Sequence, residues 1–226
     1  MMEKIGVPML SENILLLITG IRVTLLVWAG AALCSLIVGT LCGLICCPAV
    51  RVPVIAPGIS GFLLVLRGIP FYVQLLIAYF VLPAFFGFET VNAPLIATLA
   101  LGFCSAAYTS QAIISGINGI NSSQWETAFV QGYSTIQTIR YVILPQLLPA
   151  IAPSLAAEAD QLMKSTALFS SIGIMELTGM ARNIIARELN PIPVYLTIAL
   201  IYLIISLGIN WFIHYARTSW GRYAKN

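Results

Sequence analysis

The residues able to do chemistry are few, and three of them share one apolar stretch. Glu158, Asp160 and Lys164 lie in "PSLAAEADQLMKSTAL", and a charge in such a segment is costly unless it faces a cavity or a partner. Asp160 and Lys164 are four apart with the acid first, the favoured order for a helical ion pair, so they are expected to neutralise each other structurally. Glu158 stands about 200° around the helix from Asp160, so it points elsewhere and has no local partner. A carboxylate so placed suits an ammonium or a cationic side chain of a ligand; a protonated acid, or one bonded to a neighbouring subunit, is the alternative. No catalytic constellation joins these residues. The single histidine, His214, ends the last apolar run, where an interfacial position is expected. Lys4, Lys164 and Lys225 all lack the preceding glycines of a phosphate-binding loop. If ATP is used, another chain must bind it.

Composition says what must position these groups. Of 226 residues, 59% are hydrophobic and 8% charged, and mean hydropathy is +0.95. Soluble domains carry about 25% charged residues, so the chain reads as an all-α integral membrane protein embedded in lipid. Apolar runs of roughly 20 residues, bounded by Pro, Gly or charge, indicate a polytopic helical bundle rather than a barrel. A net charge of +3 is too small to suggest nucleic acid. Cys34, Cys42, Cys46, Cys47 and Cys104 lie in apolar sequence without ligand-spaced neighbours, and read as small buried hydrophobes rather than a metal site. The N-terminus lacks a basic region and a small-residue cleavage site, so no removable signal peptide is expected.

Five spans are expected in a single domain, 1–226. Residues 8–22 form an amphipathic lead-in ending at Arg22. Thr24–Cys46 is the first span, closed by Pro48, Arg51 and Pro53. Ile55–Leu82 is the second, interrupted at Arg67-Gly68-Ile69-Pro70. Ala93–Gly116 is the third, Pro149–Gly173 the fourth, and Pro193–Phe212 the fifth, with "MELTGMARNIIARELNP" a loop before it and Arg217, Arg222 and Lys225 in a basic tail. Counting Lys and Arg favours, by a small excess, an outside N-terminus and a cytoplasmic C-terminus.

One long segment, 118–145, is too polar to cross a bilayer: "WETAFVQGYSTIQTIRYVILP" forms most of it. It reads as a cytoplasmic helix, a turn and a second helix. Ser122 or Ser123 can cap the first helix, with Glu126 completing a capping box. Trp125, Ala128 and Phe129 make one apolar face. Gly132 permits close backbone approach or a left-handed turn, and Ser134 can cap the second helix. A loop this long in so economical a chain is functional more often than not, and a short amphipathic helix suits docking into another protein's groove.

Glu126-Thr127-Ala128, three residues, Gly132, nine residues, then Val142-Ile143-Leu144-Pro145 resembles the EAA loop of ABC importer permeases. "RGIPFYVQLLIAYFVLP" from Arg67, "SAAYTS" from Ser105 and "EADQLMKSTAL" from Glu158 resemble, in order and spacing, stretches of the polar amino-acid subfamily. The resemblance implies the permease fold and a transmembrane subunit that does no chemistry itself. It implies a second permease subunit (a copy or a paralogue), a separate ATPase holding ATP and Mg, and an extracytoplasmic binding protein delivering an amino acid to loops near Glu89 and 175–191. It also implies that Glu126, Ala128 and Gly132 belong to a coupling helix seated in the ATPase, where Trp125 and Phe129 would anchor. Glu158 falls on a substrate-contact position, and Gln74 could offer its amide to a substrate carboxylate or to a neighbouring helix. Gln111 and Ile114 replace an acid and an arginine of the third-span pattern, and Ser165 replaces an aspartate. A stand-alone secondary transporter is disfavoured because no internal repeat is visible, and a non-transporting assembly protein leaves Glu158 and the loop spacing unexplained.

Overall fold

The computed structural model describes residues 12–47 and 54–223, apart from the side chains of residue 214 and residues 216–223. Pro48, Arg51, Pro53, Lys225 and the side chains of His214, Arg217 and Arg222 therefore lie outside the described residues. Within them the chain is helical throughout. The elements are α1 (Ile14–Cys46), α2 (Ala56–Gly68), α3 (Phe71–Leu76), α4 (Leu82–Phe86), α5 (Ala93–Asn118), α6 (Ser122–Val130), α7 (Thr135–Thr138), α8 (Leu144–Ser165), α9 (Leu177–Glu188) and α10 (Pro191–Tyr223).

Four helical stretches are long and apolar enough to cross a membrane, and a bent pair makes up to five. The count agrees with the sequence reading; several boundaries do not. The lead-in is no separate element: α1 runs unbroken from Ile14, because its buried residues recur every three or four positions from Leu17 through Gly20, Thr24, Val27, Ala31, Ser35, Gly39 and Gly43. Arg22 lies off that stripe, exposed, so it ends nothing. The second expected span is two helices bent by 105° at the break. Pro70 cannot donate a hydrogen bond and holds Ile69 extended (φ −100°, ψ 130°), so α2 stops at Gly68. The fourth span begins earlier than expected, since α8 starts at Leu144 and carries Pro149 and Pro153 within it.

A short local repeat escaped the sequence reading. Ile77-Ala78-Tyr79-Phe80-Val81-Leu82-Pro83 and Ile139-Arg140-Tyr141-Val142-Ile143-Leu144-Pro145 share I-x-Y-x-V/I-L-P. In each the five residues before Leu-Pro form a π-helical turn. The cause is common to both. Proline removes an amide and crowds the carbonyl four residues back, here Tyr79 or Tyr141, and the wider turn relieves that clash.

Contacts group the described residues into two compact units, one drawn from 12–33, 70–102 and 160–208, the other from 34–47, 54–69, 103–159 and 209–223. In the first, Val27, Ala31, Leu75, Ala97, Leu101, Leu162 and Phe169 form one apolar cluster, and Leu17, Leu177, Ala181, Ile184, Val194 and Ile198 another. That second cluster corrects the expected loop at 175–191, which is mostly α9, with Leu177, Ala181 and Ile184 buried at helical spacing. Its first three amides all find acceptors: Leu177 N donates to Thr24 Oγ1 at 3.0 Å, and Thr178 N and Gly179 N to the Glu176 carboxylate at 2.9 and 2.8 Å. Tyr202 also donates to Glu176, at 2.8 Å. Burial pushes the Glu176 carboxyl above its ordinary range despite the hydrogen bonds from Thr178, Tyr202 and Gly179.

In the second unit α1 meets α5 through small residues. A Cβ on Gly39 would come within 2.6 Å of the Thr109 Cβ. In lipid, where apolar burial gives helices little reason to associate, such close approach and interhelical hydrogen bonds hold them together.

Candidate functional site

The polar segment is built around Gly132. α6 ends in a Schellman motif: Gly132 N donates to Phe129 O at 3.0 Å and Tyr133 N to Ala128 O at 3.1 Å. Gly132 has φ +83°, and a Cβ there would meet nothing within 4 Å. Of the two roles the sequence left open, the left-handed turn is the one present. α7 starts with a complete capping box, Ser134 accepting from Gln137 N and the Gln137 side chain accepting from Ser134 N. The box expected at Ser123 and Glu126 is absent. Asn121 caps α6 instead, accepting from Ser123 N at 3.0 Å, because an amide oxygen one step before the serines already satisfies that donor.

The apolar face of α6 is divided. Trp125 is half-buried against the cluster of Cys47, Ile113, Ile117, Leu147 and Ile151, and Ala128 is 3% exposed. These two hold the segment to its own chain. Glu126 and Phe129 face outward, as do three residues the sequence reading passed over: Val130 (88% exposed), Tyr133 and Ile136 (78%). The sequence carried a signal for one of them: Glu126, Phe129 and Val130 follow the i, i+3, i+4 spacing, one residue out of step with Trp125 and Ala128.

Glu158 is half-buried and has a partner after all, on another helix. Ser105 donates to its Oε1 at 2.5 Å. Ser105 Oγ lies 2.9 Å from Ser35 Oγ, which lies 2.8 Å from Thr109 Oγ1. All three hydroxyl residues are buried. Among the described residues no cation pairs with Glu158. Lys164 Nζ sits 2.6 Å from Asp160 Oδ2, while Ser206 donates to Asp160 Oδ1. The pair is lopsided: the Lys164 side chain is 55% exposed and that of Asp160 17%. Gln74 lies half-buried on α3. No group of three His, Cys, Asp or Glu residues among the described ones could hold a metal ion, and the cysteines are all free thiols, Cys47 and Cys104 buried and the rest half-buried.

A family whose description is "Binding-protein-dependent transport system inner membrane component" matches residues 35–219. The chain belongs to this family. It is the transmembrane permease of ABC transporters, with the ATPase a separate subunit. The permease is 32% identical over 194 residues to the arginine transport system permease protein ArtQ of Bacillus subtilis, covering 84% of this chain and 86% of that one. It is 32% identical over 152 residues to the glutamine transport system permease protein GlnP of Escherichia coli, covering 67% and 69%. With the nopaline transport system permease protein NocM of Agrobacterium fabrum it shares 32% over 158 residues, or 66% of each chain. Among solved structures, an amino acid ABC transporter crystallised with histidines aligns at TM-score 0.84 and 28% identity over 93% of this chain and 96% of that one. The MetNI methionine transporter, at TM-score 0.70 and 18% identity over 94% and 98%, shares the fold.

Arg67 Nη1 donates to Gln111 Oε1 at 2.9 Å, and Gln111 Nε2 to Ser115 Oγ at 3.3 Å. The neutral amide at 111 thus receives the guanidinium. Nor does Arg67 lie on a continuous helix running to Pro83, since the chain breaks beside it.

Proposed function

We propose that this chain is the membrane subunit of an importer for a polar amino acid. The observation that carries the reading is Glu158: a carboxylate inside an apolar span, held by a hydroxyl on one oxygen and unpaired with any described cation. An α-ammonium or a cationic side chain of the substrate would neutralise it during passage. The substrates that the relatives' names give, arginine, glutamine and nopaline, support an amino-acid cargo. Asp160 and Lys164 neutralise each other and hold α8, and Gln74 remains a candidate for the substrate carboxylate.

Segment 118–145 docks on the ATPase. Glu126 and Phe129, with Val130, Tyr133 and Ile136 beside them, form the exposed contact, and Gly132 sets its angle; a few buried aromatics would dominate such an interface. Trp125 and Ala128 brace it from behind. Two permease subunits, each on one ATPase that binds ATP and Mg, would enclose the pathway and take substrate from an extracytoplasmic binding protein. The N-terminus lies outside and the C-terminus in the cytoplasm.

The test is uptake by proteoliposomes holding the permease, its ATPase and the binding protein, with the cargo first identified by screening that binding protein against the amino acids. Glu158→Gln is expected to weaken substrate-stimulated ATPase activity. An unchanged substrate response would assign Glu158 a structural role.

A further inference from the structure

We propose that Ser105, backed by Ser35 and Thr109, is a positioning residue that aims Glu158 as an acceptor for a cationic group; the inference rests on Glu158 contacting substrate. Three oxygen–oxygen links join Thr109, Ser35, Ser105 and Glu158, and the three hydroxyls supply three hydrogens. Ser105 spends its hydrogen on Glu158. The Ser35–Ser105 link can then be filled only by the hydrogen of Ser35, and the Ser35–Thr109 link only by that of Thr109. Every donor points toward the carboxylate.

Ser105 is thereby held by Ser35 on one side and holds Glu158 Oε1 on the other, with each hydroxyl residue sealed from solvent. Glu158 Oε2 is left without a hydrogen bond from any described residue, so that oxygen is the one presented to a ligand.

The backing is built into the helix contact. Ser35 and Gly39 are successive members of the small-residue stripe on α1, and Ser105 and Thr109 are one turn apart on α5. Glycine at 39 lets α1 approach until the single Ser35 oxygen reaches both α5 hydroxyls. Side chains fixed by such packing hold a contact group in place better than a free rotamer does.

The experiment measures equilibrium binding of a radiolabelled mixture of the protein amino acids to the detergent-purified permease–ATPase complex. Ser105→Ala is expected to weaken retention of the bound amino acid by roughly tenfold or more, the scale of a lost hydrogen bond to a charged group. Ser105→Thr, which keeps the hydroxyl, restores it, and in a Glu158→Gln background Ser105→Ala adds less than about twofold, the sign of one acting through the other. Ser35→Ala, which leaves Ser105 and Glu158 in place, weakens binding by a smaller factor, about threefold, and carries the test should the Ser105→Ala complex not assemble. Wild-type affinity in Ser105→Ala, or in Ser35→Ala where only that variant assembles, overturns the positioning role while Glu158→Gln alone still weakens binding. Full additivity with Glu158→Gln overturns it too. Unchanged binding in Glu158→Gln overturns the substrate contact itself, and the positioning role with it.

Discussion

Substitution of Gly132 tests the coupling turn because the structure separates two causes that usually travel together. At φ +83° an L-residue has its Cβ against its own carbonyl, and the left-handed conformation costs about 1–2 kcal/mol. Beyond the adjoining residues, no described atom lies within 4 Å of the added Cβ, so size alone costs little there. Asparagine tolerates the left-handed region better than alanine, and a β-branched residue is a genuine outlier there. The expected order is Gly, Asn, Ala, Val, from best to worst. A cost of 1–2 kcal/mol lowers the population of the formed turn by a factor of roughly 5–30. Substrate uptake, and the substrate-stimulated part of ATP hydrolysis, should fall on that scale for Gly132→Ala and further for Gly132→Val. Membrane insertion, followed by protease protection of the remaining loops, should be unchanged. The assay is uptake by proteoliposomes containing permease, ATPase and binding protein. If Asn, the larger side chain, does worse than Ala, then volume at the ATPase surface decides and the backbone argument is refuted; wild-type uptake in Gly132→Val would end the coupling role altogether.

Other consequences are simpler to state. Leu189 is the one described non-glycine residue at positive φ (53°) and is 85% exposed; Leu189→Gly should stabilise the purified protein by about 1 kcal/mol, seen as a higher melting temperature, and a lower one would contradict it. Truncating Asp160 and Lys164 singly should each lower stability, with a coupling of roughly 0.5–3 kcal/mol in the double-mutant cycle, whereas additive losses would refute the pair. Gln111→Glu should give Arg67 a charged partner and raise the melting temperature, and a fall would show that the neutral amide is required. Burial raises the Glu176 carboxyl in the folded state, so its contribution is fully present below the unfolded value of about 4.3 and is lost as pH rises through the folded value. The stability of the wild type relative to Glu176→Gln should therefore fall from acid toward neutral pH, and the opposite slope would mean that the three hydrogen bonds outweigh burial.

Local rules explain which parts of the fold were legible. Ser134-x-x-Gln137 stands alone as a capping box, and it forms. Asn121-Ser122-Ser123 offers three caps in a row, and composition cannot say which oxygen reaches a free amide first. α9 resembles a loop in sequence because its charged residues mask Leu177, Ala181 and Ile184, whose spacing of four and three marks a buried face. Arg22, a lone arginine on the outer face of a helix, mimics a helix end where there is none, whereas the expected break at Arg67-Gly68-Ile69-Pro70 is present, enforced by Pro70 two residues beyond Gly68.

The candidate site was legible only along single helices. Spacing of two put Glu158 on a different face from Asp160, and spacing of four joined Asp160 to Lys164; both relations are local and both are present. Ser105 lies 53 positions from Glu158, and Ser35 another 70 from Ser105, so no periodicity links them. Yet one element of the answer was local. Ala31, Ser35, Gly39 and Gly43 fall at intervals of four and are all small, which is the pattern of a helix meant to be approached closely. Ser35 is the only one of the four with a hydroxyl. A serine in such a stripe can bond its own helix's carbonyl four residues back or a group on the helix that packs there; here the partners lie on α5, and one of them, Ser105, is the residue that holds Glu158.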